Sequence, residues 1–270
     1  MTTTQTNTTS VVFDRIGMTF DSDNGRTEAV RDVSASVGEG QFVSVIGPSG
    51  CGKSTLLDMA CGLLTPSRGR VSIDGEVVDG PRRDTAMVFQ EDSTLHWRSV
   101  LDNVAFGLEI KGVDKSTRLE KSKSMIELVG LKGFEKHRPG QLSGGMRQRV
   151  AIARALATDP RILLMDEPFG ALDQQTRQFI GRELLKIWEQ THNRVLFVTH
   201  DIQEAIYLSD QIWVMSARPS VVREVIDVGL PRPRPNGTRT TPRFKELEDH
   251  LWSLIKEEAA KTLGYVEGTT

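Results

Sequence analysis

The chain of 270 residues has only two cysteines, Cys51 and Cys61, too few for a disulfide framework and consistent with a reducing compartment. It also lacks long apolar runs. The longest, such as Ile162 to Met165 and Val195 to Val198, are four residues, whereas a spanning helix needs about 20. The start, MTTTQTNTTS, has neither the basic opening nor the apolar stretch of a signal peptide. No internal repeat is visible. Charge of one sign is missing too: 34 Lys and Arg stand against 36 Asp and Glu, a net of −2. That balance excludes a strong general attraction to nucleic acid or an anionic membrane. A soluble intracellular protein, large enough to bury its own core, is the expectation.

What is present alternates between two periodicities. Residues 1–10 are rich in threonine and are expected to form a disordered tail. From Val11 to about Val78 β-type runs dominate, including Gln41 to Ile46 and Arg70 to Ile73. Between Glu91 and Pro160 the pattern becomes helical. Leu119, Met125, Ile126 and Val129 recur at helical spacing with Gly130 as a stop, and Arg147 to Ala157 reads as a helix ended by Asp159-Pro160. Strands return at 162–165, 195–198 and 211–215. Residues 230–242, LPRPRPNGTRTTP, read as a solvated linker, and about 243–263 as an amphipathic helix. This order suggests a sheet-based nucleotide core with a helical insertion.

The run GPSGCGKST, Gly47, Pro48, Ser49, Gly50, Cys51, Gly52, Lys53, Ser54 and Thr55, matches G-x-x-x-x-G-K-[ST]. It follows a β-type run and opens a helical stretch, which is the context a phosphate loop requires. Gly50 and Gly52 let the backbone turn its N–H groups inward, Lys53 supplies charge for β- and γ-phosphates, and the Ser54 hydroxyl suits Mg²⁺. A Gly-rich turn that merely precedes Lys-Ser is the plainer alternative. Downstream, RILLMDEPFGALD (161–173) is an apolar strand ending in Asp166-Glu167. Ligand sites lie at the carboxyl ends of such strands. Asp166 there can hold Mg²⁺ through water, and Glu167 can accept a proton from attacking water. Two acids at a solvated turn would be the plainer account if they stood alone.

The sequence LSGGM, 142–146, resembles the LSGGQ signature of ATP-binding cassette (ABC) proteins, one helix upstream of Asp166-Glu167 as in that family. The resemblance covers about residues 11–230 and implies an α/β fold: a P-loop NTPase, RecA-like core with an antiparallel β subdomain and an inserted α-helical subdomain. The implied domains are a cassette at 11–229, its helical subdomain at about 91–160, the linker at 230–242 and a helical extension at 243–270. It further implies that Phe20 stacks on adenine, that Gln90 contacts Mg²⁺ and the attacking water, and that Asp173 crosses to a partner subunit. His200 corresponds to the histidine that senses the γ-phosphate. Ser143, Gly144 and Gly145 would cover ATP held by a second copy of the chain, in a head-to-tail homodimer. Met146 replaces the commoner glutamine.

The stretch around Trp97-Arg98 and VLDNVAFGLE, with LSGGMRQRVAIARAL and MSARPS (215–220), is similar to the nitrate, sulfonate and taurine importer subfamily. That resemblance implies ATP and Mg²⁺ as ligands and two permease subunits as partners. An extracytoplasmic solute-binding protein acts indirectly, and the location implied is peripheral, on the cytoplasmic face of the plasma membrane. Trp97 is a candidate permease contact or a buried subdomain tryptophan. An exporter ATPase, an importer of an unrelated solute and a soluble non-transport ABC ATPase are the alternatives. Arg232, Arg234 and Arg239 do not form a nucleic-acid stripe.

Overall fold

The computed structural model describes residues 10–22 and 25–262. Apart from Ser10, the tail expected at 1–10 lies outside the described residues, as do positions 263–270 of the extension. The elements in chain order are β1 (Ser10–Ser22), β2 (Gly25–Gly38), β3 (Phe42–Ile46), α1 (Lys53–Cys61), β4 (Arg68–Ile73), β5 (Glu76–Val77) and β6 (Thr85–Val88). There follow α2 (Val100–Ile110), α3 (Lys115–Leu128), α4 (Gly144–Ala157), β7 (Ile162–Asp166), α5 (Gln174–Thr191), β8 (Arg194–Val198), α6 (Ile202–Leu208), β9 (Gln211–Met215), β10 (Val222–Asp227) and α7 (Pro242–Thr262). The described chain divides into two compact units, one of residues up to Arg82 and from Arg194 onward, the other of Arg83–Asn193.

In the first unit an antiparallel sheet has the order β2-β1-β4-β5. On β2, Val33 and Val37 follow the period-2 alternation inward and Val30 is buried on the far side of a register shift, while β1 contributes Val11, Phe13, Ile16 and Met18. The β1–β2 register shifts between Phe13 and Ile16, where Arg15 takes φ 48°. The bulge breaks the period-2 pattern, so this 13-residue strand reads in the sequence as shorter runs. Beside it β3 is buried at all five residues and lies between β8 and β9, parallel to both, with β10 antiparallel on β9. A continuous apolar strand buried on both faces is what a central parallel strand requires. Phe13 meets Trp213 edge-on at 5.9 Å, joining β1 to β9.

Helix α7 lays Phe244, Leu247, Leu251 and Leu254 onto this unit, an i, i+3, i+7, i+10 stripe. The preceding run is not the solvated linker that its composition suggests. Arg234 is buried and donates to the carbonyls of Ile206 (3.1 Å) and Tyr207 (2.8 Å), and Arg232 to that of Leu208 (2.7 Å) and to Asp210 (2.9 Å). Both arginines therefore satisfy the orphan carbonyls that end α6.

In the second unit β6 and β7 pair in parallel. Four helices accompany them. Val100, Val104 and Leu108 of α2, Ile126 of α3 and Val150, Ile152 and Ala153 of α4 are all buried. The approach of the Thr158 turn to α2 is close enough that a Cβ on Gly107 would lie 2.5 Å from Thr158 Cγ2. Helix α4 starts three residues earlier than the run read from the sequence, because Ser143 caps it.

Candidate active site

The loop between β3 and α1 is shaped by close packing. Gly52 is the N-cap of α1 at φ 98°, and a side chain there would press on Val30 Cγ2 at 3.0 Å. Gly47 has no room either, since a Cβ would come within 2.9 Å of Met215. Lys53 is 7 % exposed. Its Nζ donates to the carbonyls of Gly47 (2.9 Å) and Pro48 (3.0 Å), so the ammonium closes the loop across its concave side. No side chain caps the first turn of α1, which leaves the backbone N–H groups of Lys53, Ser54 and Thr55 directed out of a nine-residue helix. Uncapped N–H groups, a helix dipole and a lysine make an anion-binding cradle. Cys51 is buried in the same loop, and desolvation pushes its thiol up despite the nearby Lys53, so it packs rather than reacts.

His200 leaves the same sheet edge. Val45 of β3 pairs with Val198 of β8, and the Thr199 N–H donates to the Val45 carbonyl at 3.2 Å. The Thr199 hydroxyl donates to Glu204 (2.8 Å) and accepts from Asp201 N–H (3.0 Å), while Asp201 caps α6. His200 is thus an exposed ring on a fixed mount. Phe20 is half-exposed on β1 opposite Thr27 of β2. Two residues back along β1, Met18 pairs with Val30, the residue that lies against Gly52.

The second unit carries the remaining residues, with Gln90 and Asp166-Glu167 at one strand edge. Val88 of β6 pairs with Met165 of β7, so Gln90 and Asp166-Glu167 emerge from adjacent strand ends. Asp166 is buried; Glu167 is half-buried at φ 42°. A non-glycine residue held in the left-handed region costs on the order of 1–3 kcal/mol and persists only when its surroundings enforce it. The segment following β6 is staked to α4. Gln148 Nε2 donates to the Phe89 carbonyl (3.1 Å), Arg147 Nε to Asp92 (2.7 Å), and Arg154 to the Ser93 carbonyl (2.9 Å) and hydroxyl (2.7 Å). Burial alone would raise the Asp92 carboxyl, but the bonds from Arg147 and Thr94 hold it below the ordinary range.

At the start of α4 the Ser143 hydroxyl accepts from Met146 N–H at 3.3 Å. Met146 therefore acts here through its backbone. A Cβ on Gly145 would meet the Ala171 carbonyl at 3.0 Å, which places the glycine pair against the turn leading to Asp173. Asp173 is the N-cap of α5. It accepts from the Thr176 hydroxyl (2.6 Å) and from the N–H groups of Thr176 (3.0 Å) and Gln175 (3.1 Å), and these bonds hold its carboxyl below the usual range.

The first unit thus brings together residues 47–55, His200 and the strand carrying Phe20. The second places Gln90, Asp166 and Glu167 at adjacent strand ends, and Ser143, Gly144 and Gly145 against the turn leading to Asp173. The donors offered by Ser54, Gln90 and Asp166 are a hydroxyl, an amide carbonyl and a carboxylate. Each is a hard oxygen donor of the kind Mg²⁺ takes, that of Ser54 in the first unit and the other two in the second. Among the described residues no cluster of three or more His, Cys, Asp or Glu could hold a metal alone. Two participants were not legible in the sequence: Arg147, and Arg218, which reaches the phosphate loop from 168 residues away. Only the MSARPS resemblance pointed towards the latter. No helix among the described residues is long and apolar enough to cross a membrane.

Comparison with known proteins finds clear relatives. The family described as "ABC transporter" matches residues 30–170. An uncharacterized ABC transporter ATP-binding protein of Methanocaldococcus jannaschii is 49 % identical over 244 residues, 90 % of each chain. A taurine import ATP-binding protein, TauB, of Burkholderia pseudomallei is 43 % identical over 249 residues, 90 % of this chain and 96 % of the relative. The Yersinia pestis TauB is 50 % identical over 202 residues, 75 % of this chain and 79 % of the relative. Among solved structures, a dimeric bacterial ABC transporter cassette superposes with TM-score 0.75 at 33 % identity, covering 81 % of this chain and 98 % of that one. A post-hydrolysis form bound to ADP and Pi matches equally well.

Proposed function

This chain belongs to the ABC transporter ATP-binding family, and on that premise we propose that it powers an importer for a small sulfonate such as taurine, or a related anion such as nitrate. Its fold is the family's α/β P-loop cassette, with an antiparallel β subdomain and an inserted helical subdomain, and its activity is ATP hydrolysis to ADP and phosphate coupled to transport. The observation that carries the residue assignments is the buried strand β3 running into the Lys53 cradle, with His200 on the adjoining strand end.

In this reading the N–H groups of residues 50–55 and the Lys53 ammonium bind the phosphates, with Gly47, Pro48 and Ser49 forming the wall of the loop. Ser54, Gln90 and Asp166 would each offer an oxygen to Mg²⁺, which would supply positive charge to the phosphates. Glu167 takes the proton from the attacking water, His200 orients the γ-phosphate and Phe20 stacks on adenine. Ser143, Gly144 and Gly145 of a second copy cover the nucleotide, and Asp173 lies at the junction of the two copies. ATP then favours the closed pair because only it carries the γ-phosphate that both chains grip. Two permease subunits receive that motion, and an extracytoplasmic binding protein delivers the solute. The chain acts peripherally, on the cytoplasmic face of the membrane, with no nucleic acid involved. The taurine-import relatives support the solute class.

The test is uptake of labelled taurine, other alkanesulfonates and nitrate in the native host, wild type against chromosomal Glu167→Gln. Selective loss for one compound is expected. Unchanged uptake of the whole panel, with ATPase activity confirmed on purified protein, would leave the ATPase and remove the sulfonate and nitrate importer assignment, with export or a different solute in its place.

A further inference from the structure

The loop between β9 and β10 touches the phosphate loop on one side and the C-terminal helix on the other. Arg218 Nε donates to the Gly50 carbonyl at 2.9 Å, and its Nη2 donates to the same oxygen. A Cβ on Gly50 would lie only 3.0 Å from that guanidinium. The base of the loop is fixed. The Ser216 N–H donates to the Val221 carbonyl (3.0 Å), the Ser220 N–H and hydroxyl donate to the Ala29 carbonyl (3.1 and 3.0 Å), and the Arg31 N–H donates to the Ser220 carbonyl (2.9 Å). At the tip, the Ala217 N–H donates to Glu258 Oε2 of α7 at 2.8 Å. Glu258 is 1 % exposed and is itself held by Arg223 (2.9 Å) and Lys261 (2.6 Å).

We propose that Arg218 is a positioning residue for the phosphate loop and that α7, through Glu258, sets its reach. A peptide unit is planar, with C=O and N–H pointing in opposite directions. Tying the Gly50 oxygen to a guanidinium therefore fixes the direction of the next N–H, that of Cys51, which donates to the Pro48 carbonyl at 3.3 Å and closes the turn of the cradle. Gly50 takes φ 73°. With no side chain there to hold it, the glycine's own wide freedom would otherwise blur the donor's aim. The guanidinium also adds a second positive charge beside Lys53, and a planar fork suits a two-pronged grip on one oxygen better than an ammonium does. Glu258 acts one step further out. It grips the backbone of the residue before Arg218, so a shift of α7 is carried to the cradle through one peptide. The C-terminal extension thus has a role in nucleotide affinity besides covering the core.

This inference rests on the reading of residues 47–55 as the ATP phosphate loop, so the test includes Lys53→Ala. Steady-state ATPase kinetics, ATP titration and melting temperature would be measured on the full-length chain. Arg218→Ala is expected to raise KM for ATP and its Kd about 5- to 10-fold, with kcat within about 2-fold and an unchanged melting temperature. Arg218→Lys should fall between Arg218→Ala and wild type. Glu258→Gln, which keeps the shape of the side chain, should raise KM about 2- to 4-fold. In the double variant Arg218→Ala/Glu258→Gln, KM should be no higher than in Arg218→Ala alone, because both act through one contact. Unchanged KM in Arg218→Ala, with Lys53→Ala losing ATP, would overturn the inference alone. ATP binding unaffected by Lys53→Ala would overturn the phosphate-loop reading beneath it. Additive effects of the two substitutions would break the link to α7.

Discussion

Arg147 of α4 donates through Nε to Asp92, 2.7 Å away, while its Nη1 holds the Leu142 carbonyl at 2.9 Å. One side chain therefore ties the stretch just after Gln90 to the loop that presents Ser143. Both partners are partly exposed, with side-chain accessibilities of 30 % and 24 %. The pair thus belongs in the lower part of the range for charge-assisted bonds. A double-mutant cycle with Asp92→Asn and Arg147→Met, read by urea unfolding, should give a coupling of about 1–2 kcal/mol. A value under about 0.5 kcal/mol would class it with ordinary surface pairs. The pH dependence has a definite sign. Asp92 titrates below its ordinary range when folded, so its contribution is complete above that range and drains away as pH falls through the lower folded value. The deficit of Asp92→Asn relative to wild type should persist down to about pH 5 and shrink toward about pH 3.

Glu167 is held at φ 42° directly after buried Asp166. Glu167→Gln keeps the volume and the backbone constraint but removes the basic oxygen. ATP affinity should stay within about 2-fold while kcat falls by about 10²-fold or more, the usual contribution of a general base. Near-normal turnover in this variant would remove Glu167 from the reaction.

How much of this was legible beforehand differs by contact range. The cradle at 47–55, the acidic strand end at 166–167 and helix α7 follow from spacing alone, because each is a local pattern of apolar, glycine and charged positions. β9 coincides with the run 211–215 for the same reason. Helix α5 is not among the helices assigned from the sequence, although Ile180, Leu184, Leu185 and Trp188 form its buried face. Its remaining residues are mostly polar, and its cap, Asp173, is the residue that the resemblance assigns to a partner contact. The arginines at 232 and 234 look solvated in a Pro-rich run, yet they serve carbonyls about 25 residues back in the chain. Arg218 is further from legibility still, since nothing local in MSARPS requires a partner in the phosphate loop.

Gly52 offers a steric test of the cradle. An alanine there must adopt φ near 98° and press on Val30 Cγ2 at 3.0 Å. A left-handed backbone of this kind costs on the order of 1–3 kcal/mol. Because the residue caps α1, the strain falls on the loop rather than the core. Gly52→Ala should weaken ATP binding by about tenfold or more, roughly 1.4 kcal/mol, in a titration at constant Mg²⁺. Wild-type affinity would mean that the loop relaxes elsewhere and that its observed shape does not govern binding.

Leu251 is fully buried on the inner face of α7, between Leu247 and Leu254. Leu251→Ala removes three carbons from a packed site and should cost about 2–5 kcal/mol in denaturant unfolding. A loss below about 1 kcal/mol would show that α7 contributes little to holding its own unit together.

Trp97 is 72 % exposed, although the residues around it are tightly held. Asp92 binds Arg147, Thr94 is buried, and Arg98 pairs with Glu109 at 2.7 Å while lying 4.8 Å over the Phe106 ring. The backbone under the indole is thus fixed, and most of the residue is left in water. Large aromatics presented on a rigid base are the residues that dominate protein interfaces. Under the proposed function the partner is a permease subunit. Trp97→Ala should leave unfolding free energy within about 0.5 kcal/mol, as for other exposed positions, and leave the ATPase rate of the purified chain unaltered. Solute uptake in cells should fall about tenfold or more, and co-purification with the permease should weaken in parallel. Full uptake with Trp97→Ala would move the contact to another part of this surface. A drop in the isolated chain's ATPase rate would instead place the ring in the chain's own conformational cycle.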